Sequence, residues 1–144
     1  MHYQDAPIDG IRYVVGAIPG WGMLESLYAD AGWTSYTGAM KESYEGICNS
    51  SRIVTAWDDT TLVGMARAIT DGYTIAYVQD ILVLATQKRR GIGRELLRRL
   101  LLPYRDVRQI VLITDDTPET RGFYKACGFE NLGAYNCTGF VRLR

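Results

Sequence analysis

Residues 79–102 constrain the fold of this chain more than any other segment. An apolar strand pattern that ends at Leu84 is followed by a basic turn with two glycines, and the turn opens directly into an amphipathic helix pattern. The first amides of a helix have no intrahelical partner, and the helix dipole places partial positive charge there. Glycine, which has no Cβ, lets a large anion approach the backbone closely. The segment therefore predicts a strand–turn–helix unit with a phosphate site at the helix start. The expected phosphate-binding residues are the cations, the glycines and the first helical residues: Lys88, Arg89, Arg90, Gly91, Ile92, Gly93 and Arg94.

Charge and cysteine content exclude several classes of function. The chain has 144 residues, and its 16 Lys and Arg balance its 16 Asp and Glu, so the formal net charge is zero. Neutrality argues against affinity for nucleic acid or for membrane surfaces, which needs a positive excess. The apolar runs are shorter than the roughly 18 residues of a membrane span. Three separated cysteines and a single histidine, His2, form no zinc pattern. We therefore expect no metal, and reduced thiols in a cytoplasmic protein.

Periodicity predicts one α/β domain over residues 1–144, with strands and helices in the order β-α-α-β-β-β-α-β-α-β-β. Such an order is typical of a mixed sheet with helices on both faces. Thr37 is expected to cap the second helix and Thr117 the last one, because each stands just ahead of a helical pattern. The predicted strands cover residues 11–17, 53–57, 61–69, 74–84, 109–114, 129–132 and 138–143, and the predicted helices cover residues 21–31, 37–48, 91–102 and 118–126.

A second motif follows the basic turn after one strand. It reads Phe-Tyr-Lys-Ala-Cys-Gly-Phe over residues 123–129. This motif is similar to the F-Y-x-x-x-G-F signature of the GCN5-related N-acetyltransferase (GNAT) superfamily. The basic turn resembles the acyl-CoA loop of the same superfamily, Gln/Arg-x-x-Gly-x-Gly/Ala, with Lys88 at the first position. The element order of essentially the whole chain resembles that superfamily as well.

The resemblance implies a fold and an activity. The fold is a central mixed, mostly antiparallel, twisted sheet of about six or seven strands flanked by about four helices. The activity is acetyl-CoA-dependent N-acetyl transfer to a primary amine of a small molecule or peptide, by direct attack on the thioester. Because many superfamily members are homodimers, a homodimer is expected too. The acceptor's identity and the acyl-chain preference stay open.

The resemblance also implies roles for individual residues. Ile81, Leu82 and Val83 would pair their backbone with the pantetheine arm of CoA, and Thr117 lies where many members have a CoA-contacting Asn. Tyr124 would protonate the departing thiolate. The base that takes the proton of the amine is either Asp80 or water. The acceptor pocket is expected beside the first two helices, where aromatic walls suit an amine. Its expected residues are Trp33, Tyr36, Tyr77 and Gln79.

Rival sites fit less well. A dinucleotide-binding turn needs a third glycine, and a nucleotide-binding P-loop needs Gly-Lys-Ser/Thr; the chain has neither. A non-enzymatic acyl-CoA sensor or interaction module remains the alternative to an enzyme.

Overall fold

The computed structural model describes residues 6–144, so His2 lies outside the described residues. These residues form two compact units, the first ending at Leu112 and the second covering Ile113–Arg144. No helix in the described part of the chain has the length and apolar character to cross a membrane.

The first unit is built on a five-stranded sheet in the order β1-β2-β3-β4-β5. The first four strands pair antiparallel, and β5 pairs parallel to β4. The strands are β1 Ile11–Val15, β2 Arg52–Asp58, β3 Thr61–Thr70, β4 Ile75–Val83 and β5 Gln109–Leu112, and the helices are α1 Trp21–Asp30, α2 Thr34–Thr37, α3 Met40–Cys48 and α4 Ile92–Leu101.

The helices of this unit cover both faces of the sheet. Helices α1 and α3 bury an apolar cluster against Ile53, Met65 and Leu82 of three neighbouring strands. Helix α4 packs on the opposite face of β3, where Gly64 makes the close approach possible. A Cβ on Gly64 would lie 3.0 Å from Leu96 and 3.1 Å from the carbonyl oxygen of Leu82. The close packing of α4 holds its N-terminus beside the end of β4.

The second unit contains helix α5, Pro118–Ala126. Thr117 caps this helix as predicted, because its hydroxyl accepts a hydrogen bond from the Thr120 amide at 3.2 Å. The helix ends where Gly128 takes a left-handed φ of 93°. A 3₁₀ turn follows over Leu132–Tyr135.

The structure confirms the α/β fold class with a mostly antiparallel sheet, but the described residues form five strands instead of six or seven. The predicted strands at residues 129–132 and 138–143 are wrong, since the first leads into a 3₁₀ turn and the second is irregular. The predicted cap at Thr37 is wrong as well. Its amide donates to the Trp33 carbonyl at 3.3 Å, which places it inside α2, and α3 begins only at Met40.

Candidate active site

The turn between β4 and α4 presents a row of backbone donors. Gly91 caps α4 in the left-handed conformation, with φ 78° and ψ 9°, and no side chain caps the helix. The first helical hydrogen bond runs from the Glu95 amide to the Gly91 carbonyl at 3.1 Å. Within residues 6–112 no backbone or side-chain acceptor meets the amides of residues 88–94. Unpaired amides at the positive end of a helix are suited to bind an anion.

The side chains of this turn add positive charge. Lys88, Arg89, Arg90 and Arg94 are all exposed. Arg90 is also anchored, since its guanidinium donates to the Asp9 carbonyl at 2.9 Å and to the Gln87 side chain. The predicted anion cradle, defined here as residues 88–94, therefore has both features that the sequence predicts, and its ligand stays a prediction.

Strand β4 has one edge that is only half paired. It pairs with β3 from Ala76 to Val83, but with β5 only from Ile75 to Val78. Opposite β3, the register jumps from Val78 to Asp80, so Gln79 is an extra residue in β4, a β-bulge. Within residues 6–112 the second edge of β4 is thus left without a partner strand beyond the bulge. Ile81, Leu82 and Val83, the residues predicted to pair with pantetheine, lie on this stretch.

Asp80 follows the bulge and is 1% exposed. Its Oδ2 accepts from the Tyr28 hydroxyl at 2.7 Å and from Arg67 Nε at 2.5 Å. Its Oδ1 accepts from the Tyr36 hydroxyl at 2.5 Å. The carboxylate is therefore buried, paired with a cation and held by three donors.

The pKa values of the three donors are all raised. Burial raises the pKa of Tyr28, and the neighbouring Asp80 charge raises it further. Burial also raises the pKa of Tyr36, and its hydrogen bond to Asp80 adds to the shift. Burial alone would lower the pKa of Arg67, but the Asp80 carboxylate outweighs this effect. Both tyrosines are consequently neutral donors, and Arg67 is charged, at any physiological pH.

A cleft of about 340 Å³ opens beside this cluster. It brings together three residues predicted from sequence for the acceptor site, Trp33, Tyr36 and Gln79, with the predicted base, Asp80. Trp33 and Tyr36 pack with their ring centroids 5.6 Å apart, and Gln79 Nε2 donates to the Tyr36 hydroxyl at 3.0 Å. The cleft is lined by Gly32, Trp33, Thr34, Ser35, Tyr36, Gln79 and Asp80.

Tyr77, also predicted for the acceptor site, does not line the cleft. It is partly buried on β4, and burial followed by the Asp80 charge raises the pKa of its hydroxyl. Sequence reasoning missed Arg67 and Tyr28 as partners of Asp80. A signal for Arg67 was present, because it is the only charged residue within the apolar β3 and pairs with Asp80 across the hairpin.

Tyr124 and Thr117 lie on the second unit, and the structure describes their local surroundings. The Tyr124 ring meets Phe123 and Phe129 edge-on, with centroids 5.0 and 5.9 Å away. Burial raises the pKa of Tyr124 to about 12, with Cys127 adding to the shift and a hydrogen bond with Thr114 opposing it. Tyr124 therefore keeps its proton at neutral pH. The Thr117 hydroxyl is occupied by the capping bond to Thr120.

The described residues contain no cluster of His, Cys, Asp and Glu that would hold a metal ion. Cys48, Cys127 and Cys137 form no disulfide with one another.

Comparison with known proteins places these features in one family. The family model described as "Acetyltransferase (GNAT) family" matches residues 21–129. Among solved structures, a GNAT family acetyltransferase from Streptococcus pneumoniae TIGR4 is 31% identical, with a TM-score of 0.84 over 93% of this chain and 98% of that one.

Two curated plant proteins match over shorter segments. The GCN5-related N-acetyltransferase 3, chloroplastic, of Arabidopsis thaliana is 39% identical over 70 residues, which are 47% of this chain and 29% of that protein. The glucosamine 6-phosphate N-acetyltransferase 1 of Oryza sativa subsp. japonica is 38% identical over 55 residues, 38% of this chain and 33% of that protein. The chain thus spans about a third of the length of these curated relatives.

Proposed function

The chain belongs to the GNAT family of acetyltransferases, and from that premise we propose that it transfers an acetyl group from acetyl-CoA to a primary amine by direct attack. The observation that carries the proposal is that one strand, β4, serves two adjoining features. Its bulge residue, Gln79, and the following Asp80 line the cleft. The unpaired edge beyond the bulge then leads toward the cradle at the start of α4.

The cradle fits the pyrophosphate of CoA. Its backbone amides lack acceptors within residues 6–112, and the left-handed Gly91 leaves open space where a Cβ would stand. Exposed Lys88, Arg89 and Arg94 supply positive charge for the phosphates. The free edge of Ile81–Val83 offers backbone groups at strand spacing, which suits the amides of pantetheine. We assign the edge to pantetheine and the cradle to the phosphates.

The cleft beside Gln79 fits the acceptor. It adjoins the strand that would carry the thioester, and its aromatic walls are favourable to an amine. The rice relative is named for acetylation of glucosamine 6-phosphate, a small amine. We therefore favour a small-molecule amine, with a peptide amine as the other acceptor that the cleft admits.

The chemistry requires one bond to form and one to break. The amine nitrogen attacks the thioester carbon, the C–S bond breaks, and the thiolate takes a proton. We assign that proton to Tyr124, which burial keeps protonated at neutral pH. The proton that the amine loses goes to water, or to Asp80 through the Tyr36 hydroxyl that shields it. No acyl-enzyme is needed, so no cysteine takes part.

An assay with two readouts tests the proposal. Acetyl-CoA affinity is measured by calorimetry, and CoA release is followed with a thiol reagent over a panel of primary amines. We expect binding together with amine-dependent CoA release. Tight acetyl-CoA binding with no release on any amine would contradict the enzyme and favour an acyl-CoA sensor. The absence of acetyl-CoA binding would contradict both.

A further inference from the structure

The hydrogen bonds of Tyr36 fix what its hydroxyl offers to a ligand. A tyrosine hydroxyl has one proton to donate and two lone pairs that accept. Tyr36 gives its proton to Asp80 Oδ1 at 2.5 Å, and it accepts from Gln79 Nε2 at 3.0 Å. The raised pKa of Tyr36, caused by burial and by this bond to Asp80, keeps the proton in place. Arg67 also hydrogen-bonds to this hydroxyl. Because the phenolic proton is committed to Asp80, any bond that the hydroxyl makes to a ligand in the cleft is one that it accepts, in place of the bond from Gln79 or from Arg67.

The charge of the cleft is the second observation. Among residues 6–144, Asp80 is the only charged residue that lines the cleft. That carboxylate is 1% exposed and already paired with Arg67, which is 6% exposed. Tyr28 on α1 and Tyr36 on α2 donate to this carboxylate, and Arg67 also donates to the Gly46 carbonyl and the Ser50 hydroxyl. The remaining lining consists of aromatic rings, two hydroxyl side chains, one amide and a glycine. A ligand in this cleft thus meets hydrogen-bonding and aromatic groups, but no accessible formal charge.

We propose that the cleft selects small primary amines whose non-reacting part is uncharged, and that Tyr36 binds the amino group by accepting one of its N–H hydrogens. This inference rests on the proposed function and adds the substrate class and the amine-binding residue. A second ammonium or a phosphate in the cleft gains no accessible counter-charge from the lining to offset the hydration that it loses, whereas the reacting amino group gains the bond to Tyr36. At Tyr36 itself, an acceptor atom of a ligand would face lone pairs, whereas an N–H finds an acceptor there.

The geometry also serves the reaction. An amine that is held through an N–H hydrogen keeps its lone pair for the thioester carbon once the ammonium has lost its proton. Asp80 acts here through Tyr36, because its carboxylate accepts the hydrogen bond of the phenolic O–H and so leaves the hydroxyl oxygen as an acceptor toward the cleft. Asp80 is then a positioning residue, and Tyr36 is the residue that touches the substrate.

Two matched tyrosine variants separate this role from simple stability. Tyr36→Phe removes the proposed amine contact, and Tyr28→Phe removes another donor to the same carboxylate, from a residue that is 0% exposed and does not line the cleft. We expect Tyr36→Phe to lower kcat/KM for the amine on the order of 10- to 100-fold, the range for a hydrogen bond to a charged or reacting group. The Kd for acetyl-CoA should stay within about twofold. If Tyr36 only stabilised the Asp80 cluster, kcat/KM for the amine would fall by a similar factor in Tyr36→Phe and Tyr28→Phe.

The inhibition constant of a des-amino analogue of the best acceptor gives a second measurement, which a change in protein stability alone would not alter selectively. This analogue lacks the N–H that Tyr36 would accept, so its inhibition constant should be nearly the same for wild type and Tyr36→Phe. Equal weakening of amine and analogue would overturn the assignment of Tyr36.

Matched amines test the substrate class. The pairs are butylamine with putrescine, which adds a second ammonium, and glucosamine with glucosamine 6-phosphate, which adds a phosphate. In each pair we expect the first member to have the higher kcat/KM, by about tenfold or more. Preference for the charged member in either pair would overturn the inference while leaving acetyl transfer intact. If wild type acetylates no amine of the panel, the proposed function fails, and the inference fails with it.

Discussion

Replacing Gly91 with Glu tests the anion cradle most sharply. Gly91 adopts φ 78° at the start of α4, where an L-residue is strained, although its added Cβ would meet no atom within 4 Å. The strain should lower the free energy of unfolding by about 1 to 2 kcal/mol. At about 3 °C per kcal/mol for a chain of this size, the melting temperature would fall by about 3 to 6 °C.

The effect on CoA binding should be much larger. A carboxylate about 4 Å from a phosphate, at an effective dielectric constant near 20, is repelled by about 4 kcal/mol, or roughly a thousandfold in Kd. Because the Glu side chain is able to swing toward solvent, we expect a rise in Kd of about 100-fold or more. Calorimetric titration with CoA measures this rise directly.

Gly72→Glu is the matched control. Gly72 is exposed, has φ 82°, lies in the turn before β4, and likewise has no atom within 4 Å of its added Cβ. It should show a similar loss of melting temperature with an unchanged Kd. A Gly91→Glu protein that binds CoA within about threefold of wild type would refute the cradle. If Gly91→Glu and Gly72→Glu lost CoA affinity equally, the loss would be an effect of lowered stability and not of the cradle.

Three further predictions concern a proton donor, a buried ion pair and an acid-sensitive helix. Tyr124→Phe should lower kcat by about 10² or more, the low end for general acid catalysis, with little change in acetyl-CoA affinity; equal losses in both would contradict the acid role. Arg67→Met leaves buried Asp80 without its cation and should lower the free energy of unfolding in urea by about 3 to 5 kcal/mol, whereas Arg98→Met, at an exposed ion pair, should cost about 1 kcal/mol or less. Hydrogen bonds from Arg98 and Arg99 lower the pKa of Glu95 from 4.5 to about 2, so its stabilisation is complete above pH 4.5 and is lost as the pH falls toward 2. Melting curves between these two pH values should show a steeper decline for wild type than for Glu95→Gln, and parallel declines would contradict this pKa.

The turn at the start of α4 was predictable because its determinants are local. The determinants are contiguous in sequence: a strand end, two glycines, a run of cations and an amphipathic helix. The unpaired amides and the dipole at the N-terminus of such a helix favour an anion. Gly91 takes the left-handed φ that such a turn requires. The cap at Thr117 was predictable for the same reason, since a capping residue acts within one helical turn.

The surroundings of Asp80 were not predictable, because they depend on tertiary packing. Residue type and position suggested a base at the start of the CoA strand. The register of β3 against β4 brings Arg67 onto this carboxylate, and helix packing adds Tyr28 and Tyr36. These contacts are long-range in sequence, so the sequence alone did not show that Asp80 is buried and paired. Its role as the base, or that of water, stays a prediction.

The predicted strand and helix cap that do not form show that residue propensity alone does not determine local structure. Residues 138–143 are rich in strand formers, yet in the second unit they pair with no other strand. A strand depends on its partner edge more than on its own composition. Thr37 has the side chain of a capping residue, but a cap also needs extended backbone, and Thr37 already lies within the turn of α2.

The most direct test of acetyl transfer is identification of the product by mass spectrometry, with CoA quantified in the same reaction. Purified protein, acetyl-CoA and the best amine of the panel are incubated beside the Gly91→Glu variant. We expect an N-acetylated amine formed in equal amount to the CoA released, and little of either with the variant. CoA release without acetylated amine, or equal product from both proteins, would contradict acetyl transfer that depends on the cradle.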